Sequence, residues 1–288
     1  MTAKILLLIL FGSASGVTHA QRPDTVFLEE LTSTEVRDLL DEGYTTVIIP
    51  TAGTEQNGPH MVLGKHKYRI NYGSEKIART LGKALVAPVM TYVPEGNIDP
   101  PSGHMQFAGT LSIPEDVFEK VLEHTARSLK QHGFKDILMI GDSGGNQEGM
   151  KKVSGALSKE WKPSGIKVHH ISDWYSVGVD RFVSWLKESG YTKEQIGDHA
   201  GLIDTALLLA VAPEHVRSNT QPGKGFDVDG VSGDPTLATQ ELGEKGMEFI
   251  IDATLEQIST LVDKREPSTT KEVEQGGAGQ PATRSESE

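Results

Sequence analysis

The sequence predicts an α/β protein, a single domain built on a mostly parallel sheet with helices on both faces. Three observations carry this. Short β-branched runs alternate with segments of helical length and period. Runs such as VIIP and ILMI are apolar at every position, as in strands buried on both faces. Polar, glycine-containing segments follow these runs, and open α/β sheets place their chemistry in the loops leaving the carboxyl ends of the strands. With 288 residues, 36% hydrophobic and 24% charged, the composition is that of an ordinary globular chain.

Residues 1–20 read MTAKILLLILFGSASGVTHA, with Lys4, an apolar run from Ile5 to Phe11, then small and polar residues to Ala20. That order is the pattern of a secretory signal peptide, and the run is too short to span a bilayer. The expectation is a secreted or periplasmic protein beginning at Gln21. STEVRDLLDEG then reads as a capped helix with Val36, Leu39 and Leu40 on one face and Gly43 at its stop. TTVIIPTAG is a buried strand, Tyr68–Leu81 a helix and ALVAPVMTYV a strand. SIPEDVFEKVLEHTARSLKQHG is a helix with Pro114 in its first turn and Gly133 at its end. KDILMI and IKVHHIS are strands, and NQEGMKKVSGALSKEW is the helix between them. DRFVSWLKESG and IDTALLLAVAP are helices, and a long amphipathic helix from Ala238 to Lys264 closes the domain. The polar, Gly- and Ser-rich residues 266–288 cannot bury enough apolar surface to order themselves, so the folded domain is placed at 21–265.

The formal net charge of −12 argues against a nucleic-acid partner, which needs a basic surface. The chain has no cysteine, so disulfides, thiolate catalysis and cysteine metal sites are excluded. No stretch after the first twenty residues is apolar enough for a membrane span. Four polar loops fall where a site belongs: Thr51–Lys67, Gly96–Gly109, Gly141–Asn146 and the cluster GDHAGLID.

GDSGGN, Gly141–Asn146, fits the G-x-S-x-G turn of a serine nucleophile, with Asp204 and His215 following in the order an acid and base would take. A glycine-rich turn whose hydroxyl caps the next helix fits equally well. The loop after the first strand holds Glu55, Asn57, His60 and His66. Carboxylate and imidazole together suit zinc or manganese. A polar loop with solvated histidines is the other reading.

These motifs together resemble the creatininase (creatinine amidohydrolase) family. Its E-Q-H-G-P-H-L-P-x-G-T-D is matched by EQNGPHMVLGKH, its F-P-G-T-I-S after a histidine by HMQFAGTLS, and its N-G-H-G-G-N by GDSGGN. Its H-A-G-E-x-E-T-S is matched by HAGLIDTALLLAVAPEHVR, and its G-D-P-x-x-A-T by GDPTLATQELGEKG. The matches run in order from about Phe27 to Leu261. The resemblance implies a metal-dependent amidohydrolase and an oligomer, since members of that family commonly assemble as hexamers.

It also implies departures. The family's first-loop glutamate ligand is kept as Glu55. Its next ligand, a histidine, is Asn57, its bridging aspartate is His66, and the ligand histidine of the middle turn is Ser143. An imidazole cannot bridge two metals as a carboxylate does, so at most one divalent ion, zinc or manganese, is expected. Glu55 and His66 would hold it, with Asp142, Asp204 or His199 as third ligand. His199, at the family's catalytic histidine, would shuttle protons beside Asp204 and Ser143. Asn57, His60, His104, Asn146 and Trp174 are the candidates for contacting a small-molecule substrate. The expected activity is hydrolysis of a C–N bond in a small cyclic or linear amide by metal-activated water. A metal-free serine hydrolase using Ser143, and a non-catalytic binding protein, are the alternatives.

Overall fold

The computed structural model describes residues 22–218 and 220–262. The signal-like segment and the polar tail therefore lie outside the described residues. The order of elements is α1 (Ser33–Asp41), β1 (Thr46–Thr51), α2 (Lys65–Leu81), β2 (Ala84–Val86), α3 (Glu115–His132), β3 (Asp136–Gly141), α4 (Gln147–Trp161), β4 (Lys167–Ile171), α5 (Val177–Glu188), α6 (Lys193–Ile196), α7 (Leu202–Val211), α8 (Phe226–Asp229) and α9 (Gln240–Leu261).

The four strands form one sheet in the order β2-β1-β3-β4, parallel throughout. Alternate side chains feed two cores, as a pleat of period two requires. Ile48, Leu138 and Ile140 pack with Ile70, Phe182, Leu207 and Ile250 beneath α2, α5, α7 and α9. Val47, Ile49, Ile137 and Met139 pack on the other face with Phe118, Leu122 and Leu157 of α3 and α4. Each fully buried side chain of this size contributes about 1.5–3 kcal/mol of transfer free energy. Residues apolar at every strand position are thus explained by burial on both faces.

Among the boundaries that differ from the sequence expectation, two lie next to the site. The strand predicted over residues 84–93 ends at Val86. Pro88 has no N–H to continue the ladder, and the chain then follows β1 only through single bonds such as Met90 N–H to Pro50 O. Helix α2 begins at Lys65, three residues before the expected Tyr68. That extra turn matters for the site.

The chain leaves β1 toward β2 on one side and leaves β3 toward β4 on the other. The crevice outside the carboxyl ends of β1 and β3 is therefore a topological switch point, where α/β sheets bind ligands. Thr51 and Gly141 end these two strands in register, so the loops carrying Glu55 and Asp142 start side by side. Among the described residues no helix is long and apolar enough to cross a membrane.

Candidate functional site

A cavity of about 890 Å³ opens at this switch point, and all four polar loops reach it. At its floor six charged side chains close into a ring of alternating sign. His66 Nε2 lies 2.8 Å from Glu55 Oε1, and its Nδ1 lies 2.6 Å from Asp142 Oδ2. Arg69 donates to Asp142 Oδ1 at 3.0 Å and to Asp204 Oδ1 at 2.5 Å. Lys65 donates to Asp204 Oδ2 at 2.7 Å and sits 3.3 Å from Glu55 Oε1. The three cations share one face of α2, at positions i, i+1 and i+4. The three anions come from the loops after β1 and β3 and from the first turn of α7.

The surroundings hold the ring rigid. Trp174, 1% exposed, donates its indole N–H to Asp142 Oδ1 at 2.7 Å. Ala200 N–H donates to Asp204 Oδ2 at 2.8 Å. Ala200 itself has φ of 52°, a left-handed backbone that a non-glycine residue adopts only when its environment imposes it.

Ring membership sets the protonation states. Burial raises the pKa of Asp204, but Lys65 and Arg69 outweigh it and hold the carboxylate well below its usual range. Glu55 is held low in the same way by His66 and Lys65, and Asp142 by Arg69 and His66. Burial opposes the charge on His66, yet Glu55 and the hydrogen bonds from both nitrogens raise its pKa to about 9. Lys65 and Arg69 are likewise raised by their carboxylates against burial. At neutral pH the ring carries three positive and three negative charges and is balanced without any added ion.

Two groups above the ring are neutral imidazoles. Burial, reinforced by Lys65, pushes His199 down to about 4, and burial lowers His104. His199 Nε2 lies 3.0 Å from Gln56 O, so it carries the proton, and the lone pair is on Nδ1. That lone pair faces Glu55 Oε1 at 3.8 Å and Asp204 Oδ2 at 4.0 Å. His104 Nε2 lies 3.2 Å from Glu55 Oε2. One ligand atom each from Glu55, His104 and His199 falls within 4.8 Å of the others. A histidine that donates its far N–H to a backbone carbonyl while its lone pair faces carboxylates is set as a metal ligand commonly is. The donor set fits one divalent ion and provides no bridging carboxylate for a second.

A further carboxyl, Glu95, borders this triad. It enters because the loop carrying it packs backbone-to-backbone on the Ser143 turn: a Cβ on Gly145 would meet Pro94 O at 2.2 Å. Burial and the negative charge of Glu55 push Glu95 up to about 8, so it is protonated at neutral pH. Its Oε2 is 3.5 Å from Ser143 Oγ, and the carboxyl also shares a hydrogen bond with Glu55.

The residues expected from the sequence divide clearly. Glu55, His66, His104, Asp142, Ser143, His199 and Asp204 all line the cavity. His66 and Asp142, expected as metal ligands, are instead hydrogen-bonded to each other, and His66 has no free nitrogen. Four candidates for substrate contact lie behind the wall. Asn57 staples its loop through Glu55 O and Val62 O, and Asn146 clamps Thr51 and Ala52 at the end of β1. His60 pairs with Thr205, and Trp174 is spent on Asp142. Ser143 neither caps a helix through its side chain nor meets an imidazole. His215 lies outside the cavity lining, its ring 4.0 Å from that of Tyr68. Lys65, Arg69 and Glu95 went unnoticed in the sequence; the i, i+1, i+4 spacing of Lys65, His66 and Arg69 was the available signal.

The ring predicts an alkaline weakness. An unfolded histidine loses its proton near 6.5, whereas His66 keeps it to about 9. Its contribution to stability is complete below pH 6.5 and lost as pH rises through 9. Glu95 acts in the same direction between its ordinary 4.5 and about 8. Thermal midpoints of metal-stripped protein are therefore expected to fall between pH 6.5 and 9, and His66→Gln should flatten that fall. A midpoint level across this range would contradict the assignment.

Comparison with known proteins identifies the family and the fold. The family model described as "Creatininase: Creatinine amidohydrolase" matches residues 29–258. A 3-dehydro-scyllo-inosose hydrolase of Thermotoga maritima is 24% identical over 281 residues, covering 85% of this chain and 86% of its own. A mycofactocin precursor peptide peptidase of Mycolicibacterium smegmatis is 25% identical over 235 residues, covering 74% and 83%. The crystal structure of a creatinine amidohydrolase superposes with a TM-score of 0.69 at 23% identity, covering 83% of this chain and 98% of that one. Other solved creatininases with TM-scores of 0.69 and 0.67 include one described as Zn-Zn type and one as the Mn form. With residues 29–258, most of the described chain, inside the family match, this protein belongs to the creatininase family.

Proposed function

We propose that this protein is an exported hydrolase that cleaves a C–N bond in a cyclic or linear amide, with one divalent ion, zinc or manganese, held by Glu55, His104 and His199. The observation that carries the reading is the triad of one carboxylate and two neutral imidazoles, set against a charge-balanced ring. The zinc and manganese forms of solved creatininases support the choice of ion, and the hydrolase and peptidase relatives support the reaction class. The signal-like order of residues 1–20 supports export, and the family resemblance supports an oligomer.

An ion in the triad would supply Lewis-acid polarisation of the carbonyl and a water of lowered pKa. The remaining roles belong to side chains of the chain. Lys65 has three N–H donors, of which Asp204 and Glu55 engage two, so one is left for a substrate oxygen. Its charge is fixed, buried and turned to the cavity, as stabilisation of a developing oxyanion requires. Glu95 lines the same cavity beside Ser143 and is the carboxyl placed to exchange a proton with a leaving nitrogen. Asp204 is committed to Lys65, Arg69 and Ala200, so it positions these groups and does not accept a proton.

Assay of the zinc- or manganese-loaded protein against small cyclic and linear amides tests this reading. Ser143→Ala is the discriminating variant. It removes one long hydrogen bond to Glu95 and should lower kcat/KM by about tenfold or less. A nucleophile would instead show a loss on the order of 10⁴-fold or more, and that result would return the serine mechanism.

A further inference from the structure

The cavity extends well beyond the triad. One wall is α5, from Ser176 to Lys187, and by helical rise this stretch is about 16 Å long. Its inner end abuts the catalytic turn: a Cβ on Gly144 would lie 2.8 Å from the Tyr175 hydroxyl. A second stretch of the lining runs from Lys193 through Ile196 and Asp198 to His199. Both stretches therefore connect the site to a lysine, Lys187 on one and Lys193 on the other.

Those two lysines are exposed, and neither forms an ion pair or side-chain hydrogen bond among the described residues, although Lys193 precedes Glu194 in the chain. Along α5 the lining carries Val179, Asp180 and Val183, and close to the triad it carries Asp198 and Ile203. Away from the cationic floor the lining is therefore acidic and apolar, and Lys187 and Lys193 are its basic side chains. An anionic group entering this trough meets repulsion along the lining and attraction at those two lysines. A single small ring at the triad would leave this space and both ammonium groups unused.

We infer that the preferred substrate is a linear, peptide-like amide of about four residues beyond the scissile bond, ending in a carboxylate that Lys187 and Lys193 receive. The length follows from about 16 Å of trough at about 3.3–3.6 Å per extended residue. This inference rests on the hydrolase reading above and names its substrate class.

The test uses the full-length metal-loaded protein and three probes: creatinine, an acylated pentapeptide with a free carboxyl terminus, and the same peptide with a carboxamide terminus. Creatinine should be the poorest substrate. The free-acid peptide should have a KM about five-fold below that of the carboxamide, the size expected of partly exposed charge pairs. The double variant Lys187→Gln, Lys193→Gln should erase that difference by raising the KM of the free acid to that of the carboxamide. Turnover of creatinine with no gain for either peptide would overturn this inference and leave the hydrolase reading standing. Equal KM for the two termini would overturn the assignment of the lysines. Absence of turnover on all three probes, by protein shown to carry its metal, would overturn the hydrolase reading and this inference together.

Discussion

Arg69→Met is expected to lower stability by about 3–5 kcal/mol, the range for breaking one partner out of a buried ion pair. Methionine keeps much of the volume, so the loss is electrostatic. Asp142 and Asp204 each lose a charged donor in a site where Arg69 is 4% exposed and water cannot replace it. For a domain of this size the thermal midpoint should fall by roughly 10 °C. Arg127 provides the contrast: it bridges Glu123 and Glu160 on the surface. Its methionine variant should change stability by less than about 1 kcal/mol. Urea unfolding of both variants at pH 7 checks the pair. Equal effects would mean that the ring is no more than a set of ordinary surface contacts. Because six groups share the ring, Arg69→Met and Asp204→Asn should be strongly non-additive.

Glu55→Gln carries the largest expected effect on activity, a loss on the order of a thousand-fold in kcat/KM. The change preserves shape and removes one charge. It weakens the proposed triad and leaves Lys65 and His66 short of an anion. His199→Gln separates the two consequences. It removes an imidazole that belongs to the triad and not to the ring, so metal affinity should collapse while the thermal midpoint of the metal-stripped protein stays within a few degrees. If Glu55→Gln and His199→Gln both kept activity and metal, the site would have to be sought elsewhere in the cavity.

The sheet was legible in the sequence because its strands are apolar at every position, and burial on both faces leaves no other pattern. The four loops were legible for a topological reason: polar residues after parallel strands converge at one edge of the sheet. The ring was not legible, and the cause is local. Helix α2 starts at Lys65 behind Gly64, with no side chain capping its first turn. Without a capping signal the helix reads as beginning at Tyr68, and Lys65, His66 and Arg69 are not seen to share a face. Asn57, His60 and Asn146 misled for the opposite reason. A buried loop must satisfy its own polar groups, and a side chain stapling a loop has the same composition as one facing a substrate. Glu95 shows itself only once Gly145 brings its loop against the turn after β3.

The account rests on one ion beside an internally neutral ring, and elemental analysis of full-length protein purified without chelator addresses it most directly. The predicted result is one equivalent of zinc or manganese per chain, falling to near zero in His199→Gln. Two equivalents per chain would contradict a donor set that offers no bridging carboxylate for a second ion, and turnover by protein containing none would remove the triad from the chemistry altogether.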